Sequence, residues 1–170
     1  MIIKQKLVEP MNAQIQSEFA ASAQYVAIAV YFDDQSLPEL ANFFYRQSEE
    51  ERQHAMKFVH FMLDAGVKPT IPSLPELKND FDDAADAVQY ALDQEVKVTD
   101  QINNLVSMAV AEGDHTSNNF LQWFVTEQVE EVATMSTLLQ TIRHAGNNLL
   151  LVEDFVRRYP QHGGGAGTSA

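Results

Sequence analysis

Residues 48–54 read Ser-Glu-Glu-Glu-Arg-Gln-His, and they determine which face of their helix is buried. A helical residue is rotated by about 100° from the residue before it. Four large apolar residues fall within about 20° of Glu51 around the helix axis: Leu40, Phe44, Phe58 and Met62. We therefore expect Glu51 to face the core together with His54, which lies about 60° away. Glu50 is expected at the rim of this apolar stripe, and Glu49 is expected to face solvent.

The other three long helical segments each carry a glutamate in the middle of their apolar stripe: Glu18, Glu95 and Glu127. Glu130 and Glu131 flank the last of these. The chain has only 11 Lys and Arg residues, and none lies on a stripe beside its acid. Buried carboxylates without compensating charge are costly, so these acids are either protonated or bind cations. His54 favours cations, because a neutral imidazole is a common ligand of transition metals.

Composition limits the class of protein. The chain has 170 residues, of which 45% are hydrophobic, and we expect one domain over residues 1–160 with a flexible glycine-rich tail over 161–170. It has no cysteine, which excludes thiolate sites and suits a reducing cytoplasm. The net charge of -13 argues against nucleic acid or an anionic membrane as a partner and favours cations. No signal peptide and no membrane-spanning run is predicted.

The pattern of apolar residues and breaks predicts four long helices and one short helix, over 7–33, 37–65, 82–112, 115–145 and 149–158. We expect Pro10 in the first turn of its helix and Ser36 as an N-cap. The second helix, of about 29 residues, is about 43 Å long. The extended segment 66–81 can reach about 50 Å and so run the whole bundle. The second and third helices are therefore predicted to be parallel and joined by one long crossover.

The element Glu51-Arg52-Gln53-His54 resembles the Glu-x-x-His element of ferritin-like di-iron carboxylate proteins. Longer stretches resemble the four helices of bacterial non-haem ferritins, above all those of the actinobacterial type: EFAASAQYVAIAVYF (18–32), SEEERQHAMKF (48–58), LDQEVKVTDQIN (92–103) and FLQWFVTEQVEEV (120–132). The segment NLLLVEDFVRRYP (148–160) resembles their short fifth helix.

This resemblance implies an all-α fold, a ferritin-like four-helix bundle with one long crossover between helices 2 and 3 and a short fifth helix. It also implies a function, iron storage. Such ferritins assemble 24 subunits into a hollow shell, oxidise Fe(II) to Fe(III) with dioxygen or peroxide, and deposit ferric mineral inside. The implied activity is that of a ferroxidase, and the implied partners are Fe(II), the oxidant and further copies of the chain.

The resemblance also implies a set of iron ligands. Glu18, Glu51 and His54 match the first iron site of the family. Glu51 bridges to a second site, which Glu95 and Glu131 complete. One site then has a histidine and the other has only oxygen ligands. We expect the all-oxygen site to be the weaker, which suits iron in transit.

A third iron site and two neighbouring residues follow from the same resemblance. The carboxylates of the third site are Glu50, Glu127 and Glu130, and Glu131 is able to touch both this site and the second.

Gln128 matches a hydrogen-bond donor beside the centre. Tyr25 matches a tyrosine that hydrogen-bonds a ligand or supplies an electron. Arg52 stands where bacterioferritins carry the methionine that binds haem, so no haem is expected.

Three alternatives stay open at the level of sequence: a fixed di-iron enzyme of the same fold, a DNA-protecting mini-ferritin, and a bundle whose acids are only structural.

Trp123 is expected in the core and His60 in solvent. Asp114 and His115 admit two interpretations, a pore for iron or a helix cap, and we favour the cap.

Overall fold

A computed structural model of the chain describes residues 2–146 and 148–159. The described part contains five α-helices and no strand: α1 (Gln5–Asp34), α2 (Pro38–Asp64), α3 (Ala84–Ala111), α4 (His115–Ala145) and α5 (Leu149–Arg158). The predicted all-α fold is confirmed, and every predicted helix boundary lies within two residues of the observed one. The predicted tail, residues 161–170, lies outside the described residues. Nowhere in the described ranges is a helix long and apolar enough to cross a membrane.

The crossover between α2 and α3 runs along the side of α1. Gln16 Nε2 donates to the carbonyl of Ser73 over 2.7 Å. Further along, the side-chain amide of Gln24 exchanges two hydrogen bonds with the backbone of Lys78, at 2.7 and 2.9 Å. The crossover therefore travels in the same direction as α1, from the end where α2 stops to the end where α3 begins. This path makes α2 and α3 parallel, as the sequence predicts.

Two apolar clusters fill the bundle, one toward each end. One cluster contains Tyr25, Phe32 and Phe44, and the other contains Met11 and Phe58 with their neighbours. The buried acids belong to neither cluster, and they lie between the two along the helices. Burial of each large apolar side chain stabilises the fold by about 2 kcal/mol, so the clusters supply the free energy that holds a charged layer between them.

The structure corrects the expected position of Pro10. The helix begins at Gln5, so Pro10 lies in the second turn rather than the first. The segment before α1 is held by two tertiary hydrogen bonds. Ile2 N–H donates to the Ala65 carbonyl at 2.9 Å, and Lys4 N–H donates to Asp114 Oδ2 at 2.7 Å. These contacts outside the helix let α1 start about one turn before the proline, at the cost of one helical hydrogen bond.

The expected N-cap at Ser36 is wrong. Ser36 adopts a left-handed backbone with φ of 60°, and Leu37 stands at the cap position without a side-chain hydrogen bond. The cap comes instead from α5, because the Glu153 carboxylate accepts the N–H groups of Glu39 and Leu40 at 2.9 and 2.8 Å. A local sequence signal cannot reveal a cap supplied from more than 110 residues away.

The preferred interpretation of Asp114 as a helix cap agrees with the structure. Its carboxylate accepts the N–H of Ser117 at 2.9 Å, at the start of α4, and also holds the N–H of Lys4. These hydrogen bonds, acting against burial, lower the pKa of Asp114 below its usual range. The exposed His115 is the first residue of α4.

Replacing Glu153 with Ala should destabilise the fold by about 1–2 kcal/mol, because it leaves two N–H groups of α2 without their acceptor. Chemical denaturation measures this. The matched control is Asp154→Ala, since Asp154 forms ion pairs with the exposed Arg157 and Arg158 of the same helix and caps no helix in the described part of the chain. We expect that control to stay within about 0.5 kcal/mol of the unaltered protein. Equal effects of the two substitutions would contradict the assigned cap.

Candidate metal centre

The glutamates in the residue 48–54 segment have the orientations that the helical period predicts. Glu51 is buried, Glu50 is half-buried and Glu49 is exposed, where it pairs with Arg52. His54 is buried beside Glu51, and its Nδ1 lies 3.2 Å from Glu51 Oε2. The apolar stripe of α2 therefore carries a carboxylate and an imidazole into the interior.

Acids from the other three long helices meet this pair. The buried acids are Glu18 on α1, Glu95 on α3, and Glu127 and Glu131 on α4. Their ligand atoms form three groups, each with all its atoms within 4.8 Å of one another: Glu18, Glu51 and His54; Glu51, Glu95 and Glu131; His54, Glu127 and Glu131. Glu51 belongs to two groups and so does Glu131, so the three groups form one continuous cluster. All four long helices contribute to it.

The cluster has too few compensating charges for its carboxylates. Glu18 Oε2, Glu51 Oε1 and Glu131 Oε2 are buried without a hydrogen-bond partner. Among the described residues, the cation that pairs with these acids is His54, through Glu51 at 3.2 Å and Glu127 at 3.7 Å. Buried oxygens left without a partner are costly and call for an explanation, and an ion that binds there would supply one. Carboxylate oxygens and one imidazole form a donor set suited to iron.

The pKa values in the cluster move in the directions that hold protons where a metal ion would bind. Burial and the neighbouring Glu95 carboxylate raise the pKa of Glu51 and of Glu131 well above the usual range. Burial lowers the pKa of His54, but its interactions with the carboxylates of Glu127 and Glu51 outweigh burial and raise it to about 11. In the absence of metal, protons therefore neutralise part of the charge that a cation would neutralise.

Tyr25 and Gln128 both hold Glu95. The hydroxyl of Tyr25 donates to Glu95 Oε1, and Gln128 Nε2 donates to Oε2 at 3.1 Å and to the backbone carbonyl at 3.2 Å. Burial raises the pKa of Tyr25 well above its usual value, as do the nearby carboxylates, so it remains a protonated donor. Burial raises the pKa of Glu95 as well, and the two hydrogen bonds oppose that rise.

The ligands expected at a third site are only partly gathered. Glu127 joins His54 and Glu131 in one of the three groups, whereas Glu50 is half-buried and Glu130 is exposed on α4. Neither Glu50 nor Glu130 belongs to any of the three groups. A third site made from Glu50, Glu127 and Glu130 therefore stays a prediction.

The expected core position of Trp123 is wrong, because 38% of this residue is exposed. The indole lies edge-on to His54, with ring centroids 5.3 Å apart, and Lys57 Nζ lies 4.3 Å from the centre of its ring. A large amphipathic ring on an apolar stripe can lie at the rim of that stripe, where one edge covers the interior and the other meets solvent. His60 is exposed, as expected.

One buried residue of the centre was missed by the sequence analysis. Gln14 lies one helical turn before Glu18 on α1, and its Nε2 donates to Glu18 Oε1 at 2.8 Å. The spacing of four residues is a signal that could have revealed it, because side chains at i and i+4 are neighbours on a helix.

Four helices that surround buried carboxylates and a histidine are typical of the helical bundles that hold iron with carboxylate ligands. Residues 8–145 match the family model of the ferritin-like domain. The chain belongs to the ferritin-like family, and the resemblance to bacterial non-haem ferritins is confirmed.

The similar proteins match nearly the whole length of the chain. The chain is 53% identical over 145 residues to ferritin BfrB of Mycolicibacterium smegmatis, covering 85% of this chain and 80% of that protein. It is 34% identical over 155 residues to a bacterial non-heme ferritin of Staphylococcus haemolyticus, covering 89% and 93%. Among solved structures, an open pore ferritin of the hyperthermophilic archaeon Archaeoglobus fulgidus is 33% identical with a TM-score of 0.88, covering 92% and 96%.

The raised pKa values predict how stability depends on pH. The folded-state pKa of Glu51 and of Glu131 exceeds the reference value of 4.5, so their contribution to stability is fully present below pH 4.5 and is lost as pH rises through the folded pKa. In the metal-free protein, the free energy of unfolding should therefore fall as pH rises above about 4.5. Saturating Zn²⁺ should offset most of this fall, because the cation replaces the protons.

Denaturant titrations across this pH range measure the effect. Glu131→Gln should flatten the pH dependence of the metal-free protein, because it removes one of the raised carboxylates. Glu49→Gln is the matched control, since Glu49 is exposed and its pKa is lowered by hydrogen bonds from Arg52 and Gln53. An identical slope in all three proteins would show that the buried acids do not govern stability in this range.

Proposed function

We propose that this protein stores iron and is a ferroxidase. It takes up Fe(II), oxidises it to Fe(III) with dioxygen or peroxide at a di-iron centre within each chain, and deposits ferric mineral inside a hollow shell. One observation carries the proposal: buried acids from all four long helices form one cluster, in which three carboxylate oxygens have no hydrogen-bond partner. The ferritins to which the chain is similar support storage as the purpose of such a centre.

In this proposal the first Fe(II) binds to Glu18, Glu51 and His54. The second binds to Glu51, Glu95 and Glu131, so that Glu51 bridges the pair. Two of the three ligand groups in the structure have these compositions, which supports the assignment. Iron here is the substrate, and the chain's own residues bind the two ions side by side at the level where the four helices meet.

The two sites differ in the donors that they offer. The first has the imidazole nitrogen of His54, and the second has only carboxylate oxygens. Nitrogen donors increase the affinity of a site for late first-row metals, so the second site holds iron more weakly. A weak site suits an ion that leaves once oxidised. The proposed third site, at Glu50, Glu127 and Glu130, lies partly exposed at the rim of the cluster and suits iron on its way out.

Tyr25 and Gln128 act on Glu95 in this account. Gln128 donates one hydrogen bond to the carboxylate and another to the backbone of the same residue, which limits the orientations that Glu95 can take. Tyr25 holds the other oxygen of Glu95. The family resemblance also implies that a tyrosine at this position supplies an electron. We propose that role for Tyr25 in addition to its hydrogen bond to Glu95.

The proposed assembly is a shell of 24 copies, located in the cytoplasm and carrying no haem. The similarity to an archaeal ferritin over 92% of the chain supports a subunit of the shape that such shells use. The net charge of -13 favours cations over nucleic acid as cargo. Arg52, which replaces the haem-binding methionine of bacterioferritins, is exposed and hydrogen-bonded to Glu49.

His54→Ala should slow the fast phase of Fe(II) oxidation by about tenfold or more, because it removes the nitrogen donor of the first site. Stopped-flow absorbance after mixing Fe(II)-loaded protein with oxygenated buffer measures this phase. The matched control is His60→Ala, since His60 lies on the exposed face of the same helix. We expect that control to oxidise iron at the unaltered rate. A His54→Ala protein that keeps the full rate would refute the assigned site.

A further inference from the structure

Gln14 is a buried amide whose hydrogen bond ends on the candidate metal centre. The residue is 3% exposed, and Nε2 donates to Glu18 Oε1 at 2.8 Å. Glu18 is itself 1% exposed, and its other oxygen, Oε2, has no hydrogen-bond partner. Gln14 thus occupies one oxygen of this carboxylate and leaves the other free to bind a cation.

Gln14 also lines a cavity of about 190 Å³ between α1 and α3, together with Ala13, Gln101 and Asn104. Its amide donates to Glu18 over 2.8 Å, and this hydrogen bond stabilises the direction of the side chain.

A second glutamine also donates to a carboxylate of the cluster, in this case between two helices. Gln128 on α4 donates to one oxygen of Glu95, as Gln14 does to one oxygen of Glu18. A neutral amide is suited to this task, because it fixes a carboxylate without a positive charge that would compete with the metal ion. Groups that orient metal ligands in this way typically change metal affinity by about 10–100-fold when they are removed.

We propose that Gln14 is a positioning residue for the metal centre: it holds Glu18 so that a single oxygen, Oε2, is presented to the first iron site. The inference rests on the proposed function and adds to it a residue that acts through Glu18 alone. Gln14 should therefore affect metal binding at the first site and not at the second, since Glu18 belongs to the first ligand group only.

Binding of Co²⁺ without oxygen tests this role, because Co²⁺ reports affinity in the absence of turnover. In Gln14→Leu, the site that contains Glu18 and His54 should bind Co²⁺ about 10–100-fold more weakly, and the all-oxygen site should be unchanged. Visible absorption and calorimetry resolve the two binding steps. The matched control is Gln16→Leu, since Gln16 lies on the same helix and its amide bonds the crossover at Ser73 instead of a ligand.

A double-mutant cycle distinguishes positioning from a general effect on the fold. In a Glu18→Gln background, Gln14→Leu should cause no further loss of affinity, because the group through which Gln14 acts is gone. Gln14→Asn keeps the amide but shortens its reach by one methylene, and it should weaken the same site. Chemical denaturation in EDTA shows whether the metal-free Gln14→Leu protein is folded. If it is not, Gln14→Asn is used for the test instead.

The outcomes separate the inference from the proposed function. Selective weakening of the first site, absent in the Glu18→Gln background, supports the role of Gln14. Unchanged Co²⁺ binding in both Gln14 variants, or equal weakening of both sites, overturns that role while the centre stands. Failure of the unaltered protein to bind Co²⁺ overturns the metal centre itself, and the role of Gln14 with it.

Discussion

Repulsion between carboxylates buried at one level of the bundle is the constraint on which the rest of the structure depends. Glu51 and Glu131 each belong to two overlapping ligand groups, and each has one oxygen without a hydrogen-bond partner. Such a layer is stable only when protons or cations neutralise it. Burial and repulsion from the Glu95 carboxylate raise the pKa of both acids, so protons neutralise part of this charge in the absence of a metal ion. A divalent cation bound among these carboxylates would relieve the same repulsion that destabilises the fold.

The remainder of the fold holds this layer in place. Apolar clusters on either side of it supply the favourable free energy of folding, and the crossover is tied along α1 by Gln16 and Gln24. Around the acids, the described residues supply three neutral hydrogen-bond donors besides the imidazole of His54. Gln14 holds Glu18, and Gln128 and Tyr25 hold Glu95. Hydrogen bonds therefore orient these carboxylates without neutralising their charge, which a bound cation would do.

The sequence was sufficient for the orientation of the acids on α2, which the helical period alone determines. The period of α2 places Glu51 inward, Glu50 at the rim and Glu49 in solvent, and the structure agrees. It was insufficient where a partner comes from elsewhere in the chain. The cap of α2 is Glu153 of α5 rather than Ser36, which no local pattern could reveal. Trp123 has the correct phase for the core but lies at the rim, because the helical period gives direction and not depth.

The central claim is that iron passes through the cluster instead of residing there, and loading with iron tests it most directly. The metal-free protein is titrated anaerobically with Fe(II) and then exposed to oxygen, and both oxidation and soluble iron are followed. The account predicts that oxidation continues far beyond the about two or three ions per chain that such a centre holds, with the ferric product soluble. Oxidation that stops at that number would contradict storage and identify a fixed cofactor.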